Sequence, residues 1–152
     1  MVDLEQIKEK TKNGFHYVID RTQNLIGKYT KKFDFVFKRE NPVLEKRRKQ
    51  SEELLRKYPE KIPVILEKDP NCKISEIKKK KFLCPIRQSI SHFNAIIRGT
   101  AELDPTEALF LLINGNNSII GDVTMGEIYE KNKDEDGFLY IVYSSELAWG
   151  KI

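Results

Sequence analysis

The chain has 152 residues, a formal net charge of +4 and 39% hydrophobic residues, which is enough for one domain with a sizeable core and without disulfide bonds. No run reaches the roughly 18 apolar residues of a membrane span, and the first residues contain no apolar signal region. The two cysteines, Cys72 and Cys84, fit a reducing compartment, so we expect a cytoplasmic protein.

Charge is unevenly distributed along the chain. Residues 1–100 carry 24 Lys and Arg against 13 Asp and Glu, whereas residues 101–152 carry 3 against 10. A basic front half is compatible with a basic face for anionic partners. Charge alone favours the simpler interpretation, that both sets of charges only solvate the surface.

Two amphipathic segments open the chain. In residues 15–29, FHYVIDRTQNLIGKY, apolar residues recur at helical spacing, which predicts a helix capped by Asn13. The stripe consists of Phe15, Val18, Ile19, Leu25, Ile26 and Tyr29. The next segment, NPVLEKRRKQSEELLRKYP, predicts a basic helix with Asn41 as its cap, Pro42 at its first position and an end before Pro59.

Four short strands and two helices follow. The five consecutive apolar residues from Ile62 to Leu66, in KIPVILEK, predict a strand buried on both faces. Further strands are predicted in KKKFLCP, in ALFLLING with its Asn-Gly turn, and in FLYIVYS. Helices are predicted in SISHFNAIIRG, ending at Gly99, and in TMGEIYEKN.

The order of these elements predicts an α+β fold. Two helices followed by ββαβαβ give a ubiquitin-like β-grasp with a four-stranded mixed sheet and extra N-terminal helices. The strands are apolar on both faces, so both faces of the sheet need a cover. The basic N-terminal helix is the natural cover for the second face, because its leucines otherwise have no partner.

Several long segments resemble one known family. KRR, KYPEKIPVILEK, KKKKFLCP, EALFLLING and TMGEIYEKNKDEDGFLYIVYS resemble, in order and spacing, the autophagy-related ubiquitin-like modifiers, the group of GABARAP and microtubule-associated protein light chain three. The resemblance runs from about Phe35 to Gly150. It implies a modifier domain over 35–150 that includes the basic helix, a helical extension of unknown role over 1–34, and removal of 151–152 by proteolysis.

The resemblance implies that the C-terminal tail, AWGKI, is processed. A cysteine protease would cut after Gly150, which follows the aromatic Trp149 and precedes Lys151. A residue without Cβ can thread a narrow active-site channel and leaves its carbonyl open to a thiolate. Activating and conjugating enzymes of the ubiquitin-like pathway would then join the freed carboxylate to phosphatidylethanolamine, placing the protein on autophagosome and vesicle membranes. The tail on its own is equally compatible with a frayed terminus without a role.

The resemblance also implies a peptide-binding groove. Autophagy receptors and adaptors would add a short aromatic-x-x-aliphatic peptide, flanked by acidic residues, as a strand to the backbone of Lys81 and Leu83. The aromatic pocket would be formed by Leu54, Pro63, Ile65, Lys81, Leu83 and Phe138. The aliphatic pocket would be formed by Phe82, Cys84, Pro85, Phe93, Ile96 and Ile97. The basic rim would consist of Lys61, Lys79 and Arg98.

Other functions find less support in the sequence. A cysteine enzyme would need Cys84 beside His16 or His92 with an orienting residue, and no spacing suggests one. The basic runs KRRK and KKKK come without a nucleic-acid recognition motif. We therefore expect no enzymatic activity, no metal or other cofactor and no nucleic acid. A peptide-binding scaffold without conjugation, in intracellular trafficking or cytoskeletal attachment, remains open.

Overall fold

The computed structural model describes residues 10–12, 15–20, 28–115, 117–119 and 121–145. These residues form eight strands and four helices. The strands are β1 Lys10–Lys12, β2 Phe15–Asp20, β3 Lys28–Phe33, β4 Lys61–Lys68, β5 Lys81–Pro85, β6 Phe110–Ile113, β7 Asn117–Ser118 and β8 Leu139–Ser144. The helices are α1 Val36–Glu40, α2 Leu44–Lys57, α3 Ile90–Thr100 and α4 Met125–Asn132.

The main sheet has the strand order β5-β4-β8-β6-β7. Strands β4 and β8 are parallel, and the other neighbours are antiparallel. This confirms the predicted α+β β-grasp and its four strands. The short strand β7 adds a fifth, and it follows a turn in which Asn114 and Gly115 both have positive φ, 52° and 80°.

Both faces of the main sheet are buried, as the strand sequences predict. Alternate residues of β4 belong to two separate apolar clusters. Val64 packs in the cluster that contains the α3 residues Phe93 and Ile97. Its neighbour Ile65 packs in the other cluster, together with Phe37 of α1 and Leu54 of α2. The basic helix α2 therefore covers the second face of the sheet, as predicted.

The helix predicted over residues 15–29 is wrong. Residues 15–20 and 28–33 are instead antiparallel strands of a separate three-stranded sheet, with Phe15 opposite Phe33 and Ile19 opposite Tyr29. Four of the six residues of β2 are aromatic or β-branched, which favours strands, and the apolar positions 15, 17 and 19 also fit a period of two. Cross-strand pairing decides between two periods that the local sequence leaves close.

The predicted start of α2 is also wrong, by two residues. The helix begins at Leu44, after Val43, and its predicted cap Asn41 belongs to α1 instead. The backbone N–H and the side-chain Nδ2 of Asn41 both donate to the Phe37 carbonyl, 3.0 Å away in each case. Asn41 is therefore the C-cap of α1 and not the N-cap of α2. The predicted end of α2 before Pro59 is confirmed.

A buried ion pair anchors α2 to the turn before β8. Nε of Arg47 donates to Oδ2 of Asp136 at 2.9 Å, and the side chains are 8% and 0% exposed. The Tyr140 hydroxyl donates to the same carboxylate oxygen. Burial, reinforced by the Asp136 carboxylate, raises the pKa of the Tyr140 phenol, which therefore remains a neutral donor. At the same contact a Cβ on Gly137 would collide with Ser51 Oγ, so glycine allows α2 to approach closely.

A buried carboxylate fixes α1. Glu67 of β4 is 4% exposed, and its two oxygens accept from the backbone N–H groups of Val36 and Phe37 at 2.8 and 3.0 Å. These are donors of the first helical turn, which have no partner within the helix. Burial raises the pKa of Glu67, and the two backbone hydrogen bonds only partly oppose this shift.

The ion pair generates a prediction about stability. Arg47→Ala should lower the free energy of unfolding by about 3–5 kcal/mol, because it leaves the Asp136 carboxylate buried and unpaired. The control is the neighbouring Arg48→Ala. Arg48 is 37% exposed and its ion pair with Glu45 lies at the surface, so we expect a loss below about 1 kcal/mol. Urea denaturation measures both, and equal losses would contradict the anchoring role.

The raised pKa of Glu67 generates a prediction about pH. Because the folded state binds this proton more readily than the unfolded chain does, the contribution of Glu67 to stability falls as pH rises from the ordinary value of 4.5 through the raised folded value. The free energy of unfolding of the wild type, minus that of Glu67→Gln, should therefore fall as pH rises above the ordinary pKa of 4.5. The glutamine keeps an acceptor but does not titrate, so a difference that stays flat or increases contradicts the assignment.

Candidate functional site

The functional site predicted from the sequence lies along β5, which is the first strand in the order of the main sheet. The Leu66 N–H donates to the Lys80 carbonyl at 2.7 Å, and the Ile86 N–H donates to the Glu60 carbonyl at 3.0 Å. In an antiparallel pair, alternate residues turn their backbone groups towards and away from the partner strand. The backbone groups of Lys81 and Leu83 therefore point away from β4, towards the outer edge of the sheet.

The side chains of β5 are divided between the two faces of the sheet. Lys81 and Leu83 lie opposite Ile65 and Pro63, on the face that α1 and α2 cover. Phe82 and Cys84 pack with the cluster beneath α3 instead. The side chains along the open edge thus lead into two different apolar clusters. The division into an aromatic and an aliphatic pocket stays a prediction, and these two clusters are where its residues would lie.

A cavity of about 590 Å³ lies between α2 and β5. Of the residues predicted for the aromatic pocket, Leu54 and Lys81 line it. Ile65 and Phe138 are fully buried beneath this face, at 0% and 1% exposure, and Leu83 is half-buried. Pro63 is buried, and because proline has no N–H, it fits the non-hydrogen-bonded position opposite Leu83.

The exposed Lys81 side chain lies across this cavity. Its Nζ donates to Oε1 of Gln50 at 3.1 Å and lies 5.0 Å from the centroid of the Phe37 ring. Because Gln50 is a neutral amide, this hydrogen bond is weaker than one from Lys81 to a carboxylate would be. Lys81 can therefore exchange Gln50 for an acidic ligand group at small cost.

Four of the residues predicted for the aliphatic pocket pack together on the opposite face. Phe93, Ile97 and Cys84 are buried, at 1%, 0% and 3% exposure. The half-buried Phe82 packs edge-on against Phe93, with ring centroids 5.6 Å apart. Ile96 of α3 is 39% exposed and is the accessible residue of this set. The exposed Pro85 follows Leu83 by two residues, so alternation along β5 places it on the side of Lys81 and Leu83 instead.

The predicted basic rim is only partly available to a ligand. Lys79 Nζ lies 4.8 Å from the Phe82 ring centroid, and Lys61 Nζ lies 5.8 Å from that of Tyr58; both lysines are exposed. Arg98 is occupied within its own domain, since its guanidinium donates to the backbone carbonyls of Glu107 and Asp104 at 2.7 and 3.1 Å. Lys79 and Lys61 are thus the better candidates for contact with acidic residues.

Reactive chemistry finds no support near β5. Burial raises the pKa of the Cys84 thiol to about 12, which keeps it protonated and a poor nucleophile at neutral pH. Among the described residues, no three His, Cys, Asp or Glu side chains are grouped so that they could hold a metal ion. In the same part of the chain no helix is long and apolar enough to cross a membrane.

Part of the wall of the cavity between α2 and β5 was not predicted from the sequence. Gln50, Glu53, Arg56 and Lys57 line the cavity beside Leu54, and Phe37 lies beneath Lys81. The spacing of 50, 53, 54 and 57 on one helical face is the signal that could have found most of them. The residues predicted for cleavage and conjugation, Trp149, Gly150 and Lys151, lie outside the described residues.

Comparison with known families is consistent with this geometry. The family described as "Autophagy protein Atg8 ubiquitin like" matches residues 46–150. The match spans most of the chain, from α2 through the whole main sheet, and it extends past β8 to Gly150. The sheet of residues 10–33 lies outside it. The chain belongs to the Atg8 family of ubiquitin-like autophagy proteins.

Proposed function

We propose that the protein is a ubiquitin-like modifier that is joined through Gly150 to phosphatidylethanolamine and that recruits cargo and adaptors during autophagosome formation by binding short aromatic-x-x-aliphatic peptides. The observation that carries the peptide-binding part is the outer edge of β5, where backbone groups of Lys81 and Leu83 point away from β4. Strand addition uses these groups for affinity and the side-chain pockets for specificity.

The two faces of β5 explain the spacing of the proposed motif. In an added strand, successive side chains alternate between the faces, so residues three positions apart lie on opposite faces. An aromatic side chain would enter the cavity between α2 and β5, and an aliphatic one would contact Ile96 and the half-buried Phe82 on the other face. The exposed Lys79 and Lys81 suit acidic residues beside the motif. The natural partners are therefore receptors and adaptors with acidic-flanked motifs.

The proposed conjugation is supported by family membership and by the position of the tail. Strand β8 ends at Ser144, and six residues, 145–150, follow up to Gly150. Fully extended, they span up to about 20 Å, enough to enter the active sites of a processing cysteine protease and of the activating and conjugating enzymes. A lipid with two acyl chains provides stable anchoring. We thus propose a cytoplasmic form and a form on autophagosome and vesicle membranes.

The alternative is a peptide-binding scaffold that is not conjugated and that acts in trafficking or cytoskeletal attachment. The observation that favours it is the sheet of β1, β2 and β3, which lies outside the matched residues 46–150. An added sheet suits a dedicated attachment role. A faster-migrating, lipid-linked form that lacks Lys151 and Ile152 would decide for conjugation.

The first test concerns the groove. Lys81→Ala combined with Leu83→Ala should weaken binding of an acidic-flanked aromatic-x-x-aliphatic peptide by roughly ten- to a hundredfold, since it removes an apolar contact and a cation. Isothermal titration calorimetry measures the affinity, and urea denaturation checks that the variant is folded. The control is Lys78→Ala, which removes an exposed lysine before β5. Unchanged affinity in the double variant would place the peptide elsewhere.

The second test concerns the tail. Gly150→Ala should block cleavage and attachment to lipid while the domain stays folded, because the residue lies beyond the last strand. The wild type should be recovered on membranes, and the variant should remain soluble, as followed by flotation of cell membranes. Lys151→Ala, which changes the leaving side of the same bond, should still be attached. Equal recovery of the wild type and Gly150→Ala on membranes refutes conjugation at this residue.

A further inference from the structure

A second cavity, of about 860 Å³, lies beyond the C-terminal end of β5, between the end of α2, the start of β4 and α4. Its size is that of a typical ligand pocket. Leu55, Ile62 and Ile119 contribute to its wall, together with the more exposed Ile86 and Val123. Ile86 and Val123 are 40% and 38% exposed, so part of their apolar surface is accessible to a ligand at this cavity.

The backbone around Ile86 holds its side chain at this cavity. The Ile86 N–H donates to the Glu60 carbonyl and its own carbonyl accepts from the Gly126 N–H, both at 3.0 Å. A Cβ on Gly126 would lie 2.5 Å from Cγ2 of Ile86. Glycine at this position of α4 is therefore what lets the isoleucine pack against the helix. The exposed isoleucine is fixed by two elements and is not a loose loop side chain.

The cavity is continuous with the edge at which the proposed peptide binds. Pro85 is the last residue of β5, and Ile86 follows it directly. Ile86 lines the large cavity and also a smaller one of about 530 Å³, which Pro85, Glu60 and Arg87 share. A strand added to β5 in either direction has one of its ends at Pro85. The chain that continues beyond that end therefore arrives at Ile86.

We propose that this cavity is a third subsite for the bound peptide, which takes an apolar side chain from the residues that continue past the end of β5. The inference rests on the proposed peptide-binding function. The charged residues that line the two cavities cancel, three against three: Lys61, Arg87 and Lys131 against Glu60, Glu127 and Glu130. The subsite should therefore bind a leucine, isoleucine or aromatic side chain, without a preference for positive or negative charge in the peptide.

The cavity lies far from the end of β8. Strand β8 runs parallel to β4, and Tyr143 near its end lies opposite Lys68. The cavity lies at the other end of β4, at Lys61 and Ile62, about 20 Å away at roughly 3.3 Å per residue. A strand added to β5 has one end directly beside the cavity, so a partner peptide is the occupant that this position favours.

The test compares three fluorescent peptides. One carries only the acidic-flanked aromatic-x-x-aliphatic core, and the others add Gly-Leu-Leu at its amino or its carboxyl end. One extension should increase affinity for the wild type about tenfold. Ile86→Ser combined with Val123→Ser should bind the core peptide as the wild type does and lose this gain. Val43→Ser is the matched control, because Val43 is 48% exposed and lines neither cavity.

The outcomes separate the subsite from the groove. At an ionic strength of roughly 0.5 M, little long-range electrostatic attraction remains. If the tenfold gain from the extension persists at this ionic strength while binding of the core peptide weakens, the result supports an apolar subsite beside a basic groove. Binding of the core without a gain from either extension, or a gain that survives in the Ile86 and Val123 variant, overturns the subsite alone. No binding of the core overturns the proposed function as well. A wild-type dimer that becomes monomeric in the variant would assign the cavity to a second copy and overturn the proposal.

Discussion

Burial of the main sheet on both faces is the constraint on which the rest of the structure depends. The strand β4 is buried at six consecutive positions, so helices must cover each side. Helix α3 supplies one cover, and α1 with α2 supplies the other. Strand β5 is the first strand of this sheet, and its side chains alternate between the two covered faces. The two proposed pockets would therefore lie at the margins of the two covers.

Charged groups fix the positions of α1 and α2 on the second face of the sheet. Apolar packing alone is not directional and would not define the orientation of these helices. Arg47 holds α2 against Asp136, and Glu67 holds the start of α1. Buried ion pairs add little net stability compared with apolar packing, but they penalise every arrangement in which one partner stays unpaired. Helix α1 also carries Phe37, which lies beneath Lys81. The position of a five-residue helix thus helps to define the cavity between α2 and β5.

The elements that depend on local sequence patterns were predicted correctly. The strands that depend on pairing with a distant segment were not. The apolar run from Ile62 to Leu66 is short and contains three β-branched residues, which favours a buried strand, and it was predicted correctly. Residues 15–29 contain apolar residues at intervals of two and of four, and only the opposite strand, from Lys28 to Phe33, selects the former. The prediction that β5 is a peptide-binding edge came from the resemblance and not from a local pattern. The cavity beyond it could not be predicted, because Leu55, Ile86 and Val123 come together only through packing.

An open edge strand is also a hazard, because it can pair with the same strand of another copy. The lysines at and before the start of β5 counter this, since two copies would bring like charges together. In the proposed function the same lysines would also attract acidic peptides. At the other end Pro85 lacks an N–H, which stops the ladder of backbone hydrogen bonds. Beyond that point the proposed recognition would rely mainly on side chains, and the apolar cavity at Ile86 offers such contacts.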